Sequence, residues 1–476
     1  MKKNKISGED LLAIGYPELK VIGIALQMID EKFGDYDNED VLSLLTEVLK
    51  EPLIFADSET FSPIATALIE YNEAKSSAEE LALKDNPIPY SIFGKENIEE
   101  GAIIQMNTAM SLPVTVAGAL MADAHQGYGL PIGGVLAANN AVIPYGVGVD
   151  IGCRMCLSIY DIPENFYFDN QSKFKRELIA YTKFGAGAGW HGKDKADHAI
   201  LEREEFRSFP LVKNLFDKAA SQLGTSGGGN HFVEWGIIEM NVEDEVLKVP
   251  KGKYLALLSH SGSRGFGAML ANHYTRLAKE LCALPQSAKN LAYLSLDTSE
   301  GLEYWLAMNL AGDYASACHE IIHSRITKAI GGTVLAKVEN HHNFAWKEKY
   351  NDQEVIVHRK GATPASKGTF GIIPGSMTAP GFLVKGKGEP SSINSASHGA
   401  GRQMSRTQAI KTFTKNDMRA ILKEHGVTLI GSGIDEVPMA YKNIEAVMSA
   451  QSGLVDIIAK FTPKMVRMAD DGSRED

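Results

Sequence analysis

The hydrophobic positions in the first part of the chain repeat with the period of an α-helix. From residue 1 to about residue 84, apolar side chains recur every three or four positions, which places them on one helical face. The pattern predicts a helix after Pro17, a second over Val41–Lys50 with Asp40 as its N-cap, and a third over about 63–84. The core positions of the first helix are Leu19, Ile22, Leu26 and Ile29. No group of ligand-like side chains accompanies this pattern, which favours a packing or partner-binding module.

From about residue 96 the pattern changes to short apolar runs separated by glycine-rich loops. These runs predict buried strands over Tyr254–Leu258, Thr333–Val338 and Glu354–Val357. Each run ends in a polar segment that contains histidine, and strand ends are where a rigid scaffold presents functional groups. Val437–Lys460 is predicted to be a helix, and the two prolines of Asp85–Pro89 make that segment a candidate linker.

The composition argues against a membrane-spanning protein, a disulfide-rich protein and a non-specific nucleic-acid-binding protein. No apolar run approaches the roughly 20 residues of a membrane span. Four cysteines in a chain of 476 residues do not make a disulfide framework, which favours a reducing, cytoplasmic location. The net charge of −11 argues against broad, non-specific binding of nucleic acid. A local basic cleft, or bound cations, would still be compatible with that charge.

The glycine-rich turn around Asp150 and Cys153 is the first candidate metal site. A carboxylate and a thiolate three residues apart can converge on one ion or on a pair of ions, although a buried turn with a structural cysteine is the alternative. His231, His260 and one of the adjacent pair at 341–342 lie at predicted strand ends and complete a mixed sulfur, nitrogen and oxygen set. Ligand softness favours zinc, cobalt or iron, with manganese possible. The C-x-x-C formed by Cys153 and Cys156 has no second pair, so a four-cysteine zinc site is not expected.

Glycine-rich loops at 224–229, 262–267 and 399–401 can bring backbone N–H groups close to an anion. None of them is a Walker A loop, because no Gly-Lys-Ser/Thr follows at the required spacing. The guanidinium groups nearby could hold RNA or nucleotide phosphates. They are those of Arg264, Arg402 and Arg406.

His398 is the candidate nucleophile. It lies between Ser397 and the segment Gly399–Gly401, which leaves room for a bulky nucleotide, and an imidazole nitrogen can attack phosphorus at neutral pH. A purely structural histidine is the alternative. Asp123 and His125 lie in a segment that is expected to be a flexible loop.

Seven motifs occur in one order along the chain. They are Gly-Val-Asp-Ile-Gly-Cys, Gly-Asn-His-Phe-x-Glu, His-Ser-Gly-Ser-Arg-Gly, His-His-Asn, Arg-Lys-Gly-Ala, Ile-Pro-Gly-Ser-Met and Ser-His-Gly-Ala-Gly-Arg. In this order they resemble the RtcB family of RNA-splicing ligases over about residues 96–468. The resemblance implies an α+β fold, with a catalytic core of mixed β-sheets and surrounding helices over 96–468. It leaves residues 1–88 as a helical extension and 469–476 as a polar tail.

The resemblance also implies a reaction and a set of roles. The family joins an RNA 3′-phosphate or 2′,3′-cyclic phosphate to a 5′-hydroxyl with GTP and two Mn²⁺ ions. His398 would carry GMP covalently, and the shared Cys153 thiolate would bridge the ions. The implied metal ligands are Asp150, Cys153, His231, His260 and His342, the last chosen because it directly precedes Asn343. The implied GTP- and GMP-binding residues are Asn230, His231, Phe232, Val233, Glu234, His342, Asn343, Pro374, Gly375, Ser376, Met377, His398, Gly399, Ala400 and Gly401, with Glu234 reading the base.

The chain departs from the family pattern at three positions. Tyr128 stands where many members carry lysine, Gly381 where a nucleotide-contacting serine is usual, and Ala469 near the place of a C-terminal lysine. These departures concern nucleotide specificity more than metal binding. Two other interpretations remain: a metal-dependent phosphoesterase without guanylylation, and a non-catalytic subunit that binds broken RNA ends. The expected partner is RNA with broken ends, such as tRNA or another structured RNA, with no membrane. A protein partner could bind the N-terminal helical module.

Overall fold

The computed structural model describes residues 6–17, 20–34, 36–77, 80–241 and 243–470. The chain divides into two compact units, an N-terminal unit of residues 1–81 and a C-terminal unit of residues 82–476. Within the described residues, no helix is both long enough and apolar enough to cross a membrane.

The N-terminal unit is helical. Its helices are α1 (Gly8–Ala13), α2 (Lys20–Lys32), α3 (Asn38–Lys50) and α4 (Ser62–Ser77). They enclose an apolar core in which Leu11, Ala25 and Leu45 are fully buried. The helix expected after Pro17 is therefore present as α2, while Leu19 lies outside the described residues.

Two details of this unit differ from the sequence-based expectation. Helix α3 begins earlier than predicted, because Asp37 rather than Asp40 is its N-cap and accepts a hydrogen bond from the Glu39 N–H at 2.9 Å. The predicted helix over 63–84 ends at Ser77; residues 78 and 79 lie outside the described part, and 80–84 are not helical. The candidate linker Asp85–Pro89 is held to the rest of the C-terminal unit, because the N–H of Ile88 donates to Met110 O at 3.2 Å.

The C-terminal unit mixes helices and strands. Its helices are α5 (Glu100–Met110), α6 (Pro144–Val147), α7 (Glu164–Asp169), α8 (Gln171–Tyr181), α9 (Glu205–Ser208), α10 (Pro210–Asn214), α11 (Phe216–Gln222), α12 (Arg264–Leu281), α13 (Ser299–Ile330), α14 (Arg406–Thr412), α15 (Lys415–His425) and α16 (Ile444–Ala450). Its strands are β1 (Ser91–Ile92), β2 (Thr115–His125), β3 (Ile132–Ala138), β4 (Ala141–Val142), β5 (Arg154–Pro163), β6 (Phe232–Met240), β7 (Gly252–Ser261), β8 (Leu294–Ser295), β9 (Val334–His341), β10 (Asn343–Tyr350), β11 (Gln353–Lys360), β12 (Ala362–Pro364), β13 (Phe370–Ile373), β14 (Gly381–Gly386), β15 (Ser395–Ser397), β16 (Thr428–Ile430) and β17 (Val455–Met468). The expected α+β class and the three predicted strands are confirmed.

Two larger sheets organise this unit. One has the order β1-β2-β3-β11-β10, and the other has the order β13-β14-β17-β6-β7-β5-β9, with β16 added beside β17. Alternate residues of the second sheet face opposite cores. Leu257 packs on one face with Ile322 of α13, while the adjacent Leu258 packs on the other face with Phe461. Both faces are therefore buried, which explains the continuous apolar runs in these strands.

The predicted helix over Val437–Lys460 is confirmed only over Ile444–Ala450 and is wrong on both sides of that segment. Helix α16 is short, and from Val455 the chain becomes the long strand β17, which pairs antiparallel with β14 and β6. Apolar residues such as Ala459 and Phe461 alternate with exposed ones there, which is the period of a strand. Pairing with two neighbouring strands outweighs the local helical spacing.

Strand directions bring four segments to one edge of the second sheet. Strand β5 begins with Arg154, which is opposite Ser261 near the end of β7 and opposite His341 at the end of β9. Strand β6 begins with Phe232, opposite His260. Residues that precede β5 and β6, and those at the ends of β7 and β9, therefore meet at the same edge.

The turn that precedes β5 lies directly against helix α13. Gly152 has a φ of +68°, and a Cβ atom there would be 2.7 Å from the Cα of Gly312 in that helix. Two glycines thus allow the backbones of the turn and the helix to touch. A side chain at residue 152 would meet both an unfavourable backbone conformation and a backbone clash.

We predict that Gly152→Ala lowers the free energy of unfolding more than Gly331→Ala does. Gly331 has a similar φ of +71°, but a Cβ there has nothing within 4 Å. The control should cost about 1 kcal/mol, and the clash at residue 152 should add about 1–3 kcal/mol. Denaturant unfolding of the two variants measures the difference, and equal losses would contradict the close approach.

Candidate metal and nucleotide site

A buried group of carboxylate, thiolate and imidazole side chains lies at the edge where the four strand ends meet. The Cys153 Sγ atom is 3.4 Å from His231 Nε2 and 3.1 Å from His260 Nε2. Asp150 Oδ2 is 3.0 Å from His231 Nε2, and His342 Nε2 is 3.1 Å from His260 Nε2. The structure therefore brings together all five residues that the sequence singled out as metal ligands. We call these five side chains the ligand group.

The orientation of His260 in this group follows from its second ring nitrogen. His260 Nδ1 lies 3.2 Å from the carbonyl oxygen of Asn230; because a carbonyl only accepts, Nδ1 carries the proton and Nε2 faces the group with its lone pair. The nearest candidate ligand atoms lie 3.0–3.4 Å apart. Two atoms that bind the same metal ion at 2.0–2.3 Å lie roughly 3–4 Å apart, so this spacing fits a shared ion. Burial lowers the pKa of His342 well below its ordinary value, as do the nearby histidines, with His398 first. The residues present therefore fit a transition-metal ion.

Glycines allow the loops of this group to approach closely. A Cβ at Gly262 would lie 2.0 Å from Asp150 Oδ1, and a Cβ at Gly227 would lie 2.0 Å from His231 Nδ1. The Ser263 N–H donates to Asp150 Oδ1 at 3.1 Å. The glycine-rich segment 262–267 was predicted to be a loop, but its residues from Arg264 onward form the start of α12. Its backbone does bind an anion, as its glycines led us to expect, and that anion is the Asp150 carboxylate of the protein itself.

The two members of the adjacent histidine pair have different surroundings. His342 belongs to the ligand group, whereas the His341 ring packs edge-to-face against Phe344 and in a tilted arrangement against Trp346, at 4.9 Å between ring centroids in both cases. His358, which is not among the predicted metal ligands, is buried in β11. Its Nε2 accepts from the Ile143 N–H at 2.9 Å, so it already has a structural partner.

His398 lies beside the ligand group and is held by a buried carboxylate. Its ring centroid is 4.9 Å from that of His342, and its Nδ1 is 2.7 Å from Asp123 Oδ2. The same oxygen accepts from the N–H groups of His398 and Gly399 at 3.2 and 3.3 Å. Burial by itself would raise the pKa of Asp123, but His398 and Lys442 hold it below its ordinary value. The carboxylate thus holds the ring through Nδ1, and Nε2 is the nitrogen that carries the lone pair.

Asp123 was expected on a flexible loop, and this expectation is wrong. It lies inside strand β2 and is fully buried. Sequence reasoning also missed its partner, because Asp123 and His398 are 275 residues apart. The alternating polar residues of Asp123-Ala-His125 were the available signal: an aspartate in an otherwise apolar strand needs a charged or hydrogen-bonded partner.

A cavity of about 450 Å³ connects His398 with the ligand group. Of the residues expected to bind GTP, those lining the cavity are Asn230, Phe232, Glu234, His342, Asn343, Pro374, Gly375, Ser376, Met377, His398, Gly399, Ala400 and Gly401. His231 and Val233 do not line it. His231 belongs to the ligand group, and the Val233 side chain is fully buried in the core on the α13 face of the sheet. The Asn230 side-chain oxygen is buried without a hydrogen-bond partner among the described residues, which leaves an acceptor for a ligand.

Two ionisable side chains lining the cavity are shifted toward their neutral forms. Burial raises the pKa of Glu234 well above its ordinary value, and burial lowers the pKa of Lys360 to about 7. Among the three arginines predicted to contact phosphate, only Arg402 and Arg406 line the cavity. They are both paired with Glu436.

Arg264 occupies a different place from the one expected. It is fully buried, and its guanidinium donates to Thr225 Oγ1 at 3.1 Å and to Gly185 O at 2.7 Å. The first bond ties the loop at 224–229 to the start of α12, and the second ties the backbone at Gly185 to it. A guanidinium enclosed in this way is directed into the protein interior, which argues against a contact with RNA.

A second buried group of possible ligands lies on the α13 side of the sheet. It contains Cys156, His319 and His323. Ser259 Oγ lies 2.6 Å from His319 Nδ1 and 2.8 Å from His323 Nε2, and the remaining ring nitrogens reach Ser261 O at 3.1 Å and Ser158 Oγ at 2.7 Å. Burial raises the pKa of the Cys156 thiol. Hydrogen bonds thus account for all four ring nitrogens of this group, which ties β7 and β5 to α13.

Comparison with known proteins agrees with the geometry. The family model described as tRNA-splicing ligase RtcB matches residues 105–209 and 207–469. The RNA-splicing ligase RtcB of Escherichia coli (strain K12) is 34% identical over 373 residues, covering 71% of this chain and 87% of that protein. The tRNA-splicing ligase RtcB of Nanoarchaeum equitans is 29% identical over 452 residues, covering 80% and 95%. The RNA-splicing ligase RtcB homolog 1 of Entamoeba dispar is 30% identical over 441 residues, covering 76% and 81%. The chain therefore belongs to the RtcB family of RNA-splicing ligases.

Proposed function

We propose that this protein is an RNA ligase that uses GTP and Mn²⁺. It joins an RNA 3′-phosphate or 2′,3′-cyclic phosphate to a 5′-hydroxyl through a covalent His398–GMP intermediate. The observation that carries the proposal is the position of His398: one ring nitrogen is held by the buried Asp123 carboxylate, and the ring borders both the cavity and the ligand group.

The histidine explains the first covalent step. His398 Nε2 attacks the α-phosphorus of GTP with its lone pair, the N–P bond forms, and the bond to pyrophosphate breaks. Asp123 accepts from Nδ1–H throughout, so the positive charge that develops on the ring lies next to a buried carboxylate. This pairing also keeps the imidazole in the required tautomer.

The later steps return the histidine to its starting form. A 2′,3′-cyclic phosphate is first opened by water, which forms a bond to phosphorus as the bond to O2′ breaks and leaves a 3′-phosphate and a 2′-hydroxyl. An oxygen of the RNA 3′-phosphate then attacks the phosphorus of the His398 adduct, and the N–P bond breaks with its electron pair returning to Nε2. The RNA end then carries GMP on its phosphate. The 5′-hydroxyl of the second RNA end attacks that 3′-phosphate, a phosphodiester bond forms, and GMP leaves. The proton of the hydroxyl passes to solvent.

The ligand group is proposed to hold two Mn²⁺ ions. The residues that would hold them are Asp150, Cys153, His231, His260 and His342. Cys153 would be the shared ligand, and its sulfur lies within 3.4 Å of His231 Nε2 and 3.1 Å of His260 Nε2. Bound there, the ions would stabilise negative charge on attacking and leaving oxygens during in-line displacement at phosphorus.

The cavity is proposed as the guanylate site. Buried Glu234 lines it, and its carboxyl oxygens can accept from the N–H groups of a guanine base. Arg402 and Arg406 are the proposed contacts to RNA phosphate at the same cavity. A phosphoesterase that needs only metal ions would have no use for the His398–Asp123 pair, which favours the ligase over that alternative.

We predict that His398→Ala forms no protein–GMP adduct. The variant lacks the nucleophile but keeps every proposed metal ligand, so it should still bind Mn²⁺. It should also seal RNA that already carries GMP on its 3′-phosphate, since that substrate bypasses the first step. Incubation with α-labelled GTP and Mn²⁺, followed by denaturing electrophoresis, measures the adduct.

The matched control for that variant is His425→Ala, which removes an exposed histidine at the end of α15. It should form the adduct at the wild-type level. An adduct that persists in His398→Ala and maps to another residue would contradict the assignment.

We predict that Cys153→Ala loses at least about tenfold in Mn²⁺ affinity, because changing even residues that only orient ligands costs about 10–100-fold. Adduct formation should be lost with it. Cys156→Ala is the matched control, since it removes a buried thiol three residues further along the chain, in β5. Metal content by mass spectrometry and titration by calorimetry give the readout. The reverse result, with metal lost only in Cys156→Ala, would move the metal site to the second group.

We predict that Gly381→Ser lowers the GTP concentration for half-maximal adduct formation by about two- to tenfold, the value of one added hydrogen bond. Gly381 lines the cavity, and a Cβ there would be 3.5 Å from Pro374 Cα, an ordinary contact. The control is Gly371→Ser on β13, where a Cβ has equal room but lies outside the cavity lining. Unchanged GTP use in Gly381→Ser would show that this position does not reach the nucleotide.

A further inference from the structure

An exposed aromatic ring stands at the rim of the cavity. Tyr128, between β2 and β3, has 70% of its surface exposed although it lines the same cavity as His398. Its ring lies over that of Tyr145, with 6.3 Å between centroids and 29° between planes. We call these two rings the tyrosine platform. A flat aromatic surface that remains in water beside a reaction cavity is available to stack on a planar ligand.

The loop that carries Tyr128 is held on both sides. The Gln105 side chain donates to Gly127 O at 2.5 Å and accepts from the Gly127 N–H at 3.0 Å. At the next glycine, Gly129, φ is +72° and a Cβ would lie 2.7 Å from Asn290 O, so the backbones are in contact. The exposed ring is therefore mounted on a fixed loop, which reduces the entropy lost when a ligand binds.

Lys360 connects the two tyrosines beneath the surface. Its ammonium donates to Tyr128 O at 2.5 Å and to Tyr145 O at 3.1 Å, and it lies 4.9 Å from the centroid of the Tyr145 ring. The buried Lys360 thus holds the backbone of both tyrosines and lies against the Tyr145 ring. This arrangement fixes the spacing of the tyrosine platform.

Positive charge also surrounds the tyrosine platform. Lys279 Nζ lies 5.5 Å from the Tyr145 ring centroid. Burial and then the charge of neighbouring Lys289 lower the pKa of Lys279, so the two ammonium groups are close enough to repel. Lys289 is exposed and adjoins Asn290, which contacts the loop. In a chain of net charge −11, aromatic rings interleaved with lysines form the combination that binds single-stranded nucleic acid.

We propose that the tyrosine platform stacks on the terminal nucleobase of one of the two RNA ends that the enzyme joins, while Lys279 and Lys289 contact the adjoining phosphates. This proposal rests on the proposed function for the identity of the ligand. Tyr128 is thereby a substrate-positioning residue: it holds the end nucleotide at the mouth of the cavity that contains His398. Stacking on an aromatic face tolerates any base, so the site recognises an unpaired end rather than a sequence.

Equilibrium binding of short single-stranded RNAs tests the proposal without any chemical step. One RNA ends in a 5′-hydroxyl and the other in a 3′-phosphate, and each carries a fluorophore at its opposite end. Fluorescence anisotropy gives the Kd of each RNA for the wild-type protein and for Tyr128→Ala, with the terminal nucleotide either intact or abasic. Because binding is measured without GTP, failure of the ligase reaction would not affect the result.

We expect Tyr128→Ala to weaken binding of one of the two RNAs about 10- to 100-fold, the usual effect of losing a base–aromatic stack. An abasic terminal nucleotide should cost the wild-type protein a similar factor, and the two changes together should cost no more than either alone. Tyr128→Phe, which keeps the ring, should recover most of the affinity. The RNA that responds identifies which end is stacked.

The control variant is Phe168→Ala, which removes an exposed ring on α7 outside the cavity lining and should leave both Kd values unchanged. Lys289→Ala should reduce the slope of log Kd against log salt by about one. The proposal is overturned if Tyr128→Ala binds both RNAs as the wild-type protein does. It is also overturned if the loss is the same with an abasic end, or if the wild-type protein binds neither RNA.

Discussion

The close approach of Asp150, Cys153 and three histidines at one edge of the eight-stranded sheet is the constraint on which the rest of the larger unit depends. The buried side chains of this group need hydrogen-bond or metal partners, because an unpaired polar group in the interior is costly. Strand order supplies the convergence, since antiparallel neighbours bring the start of β5 and the ends of β7 and β9 to the same edge. Glycines supply the space, and at Gly262 any side chain would overlap the Asp150 carboxylate.

The site lies where this sheet meets the five-stranded sheet. His260 lies in β7 of the eight-stranded sheet, and the other four members of the ligand group lie in the segments that precede β5 and β6 or follow β9. Asp123 belongs to β2 of the five-stranded sheet, and His398 follows the short strand β15. The His342–His398 ring contact joins the two halves. In the proposed reaction this junction has a direct consequence: the nucleophile and the proposed metal ligands are held by separate rigid elements, so each can be positioned independently of the other.

Polar groups that are not proposed ligands support the site from behind. The chain of hydrogen bonds from Ser158 through His323 and Ser259 to His319 crosses from two strands to helix α13. Ser259 directly precedes His260, so this network holds the backbone that carries a member of the ligand group. Arg264 similarly holds the loop before His231 through Thr225. These residues resemble ligands or phosphate contacts in the sequence, but their donors and acceptors are used within the fold.

The sequence by itself determined the local elements and the chemistry available. The spacing of apolar residues alone predicted α2, the strand β7 that contains His260 and the strand β9 that precedes His342. The residue types at the strand ends indicated a mixed metal-ligand set. It did not determine which polar residues meet. The pairing of Asp123 with His398, the interior position of Arg264 and the conversion of residues 455–460 from predicted helix to strand β17 were decided only by the tertiary structure. The physical reason is that periodicity reports contacts within a few residues, whereas these outcomes depend on hydrogen bonds and strand pairs between residues far apart in the chain.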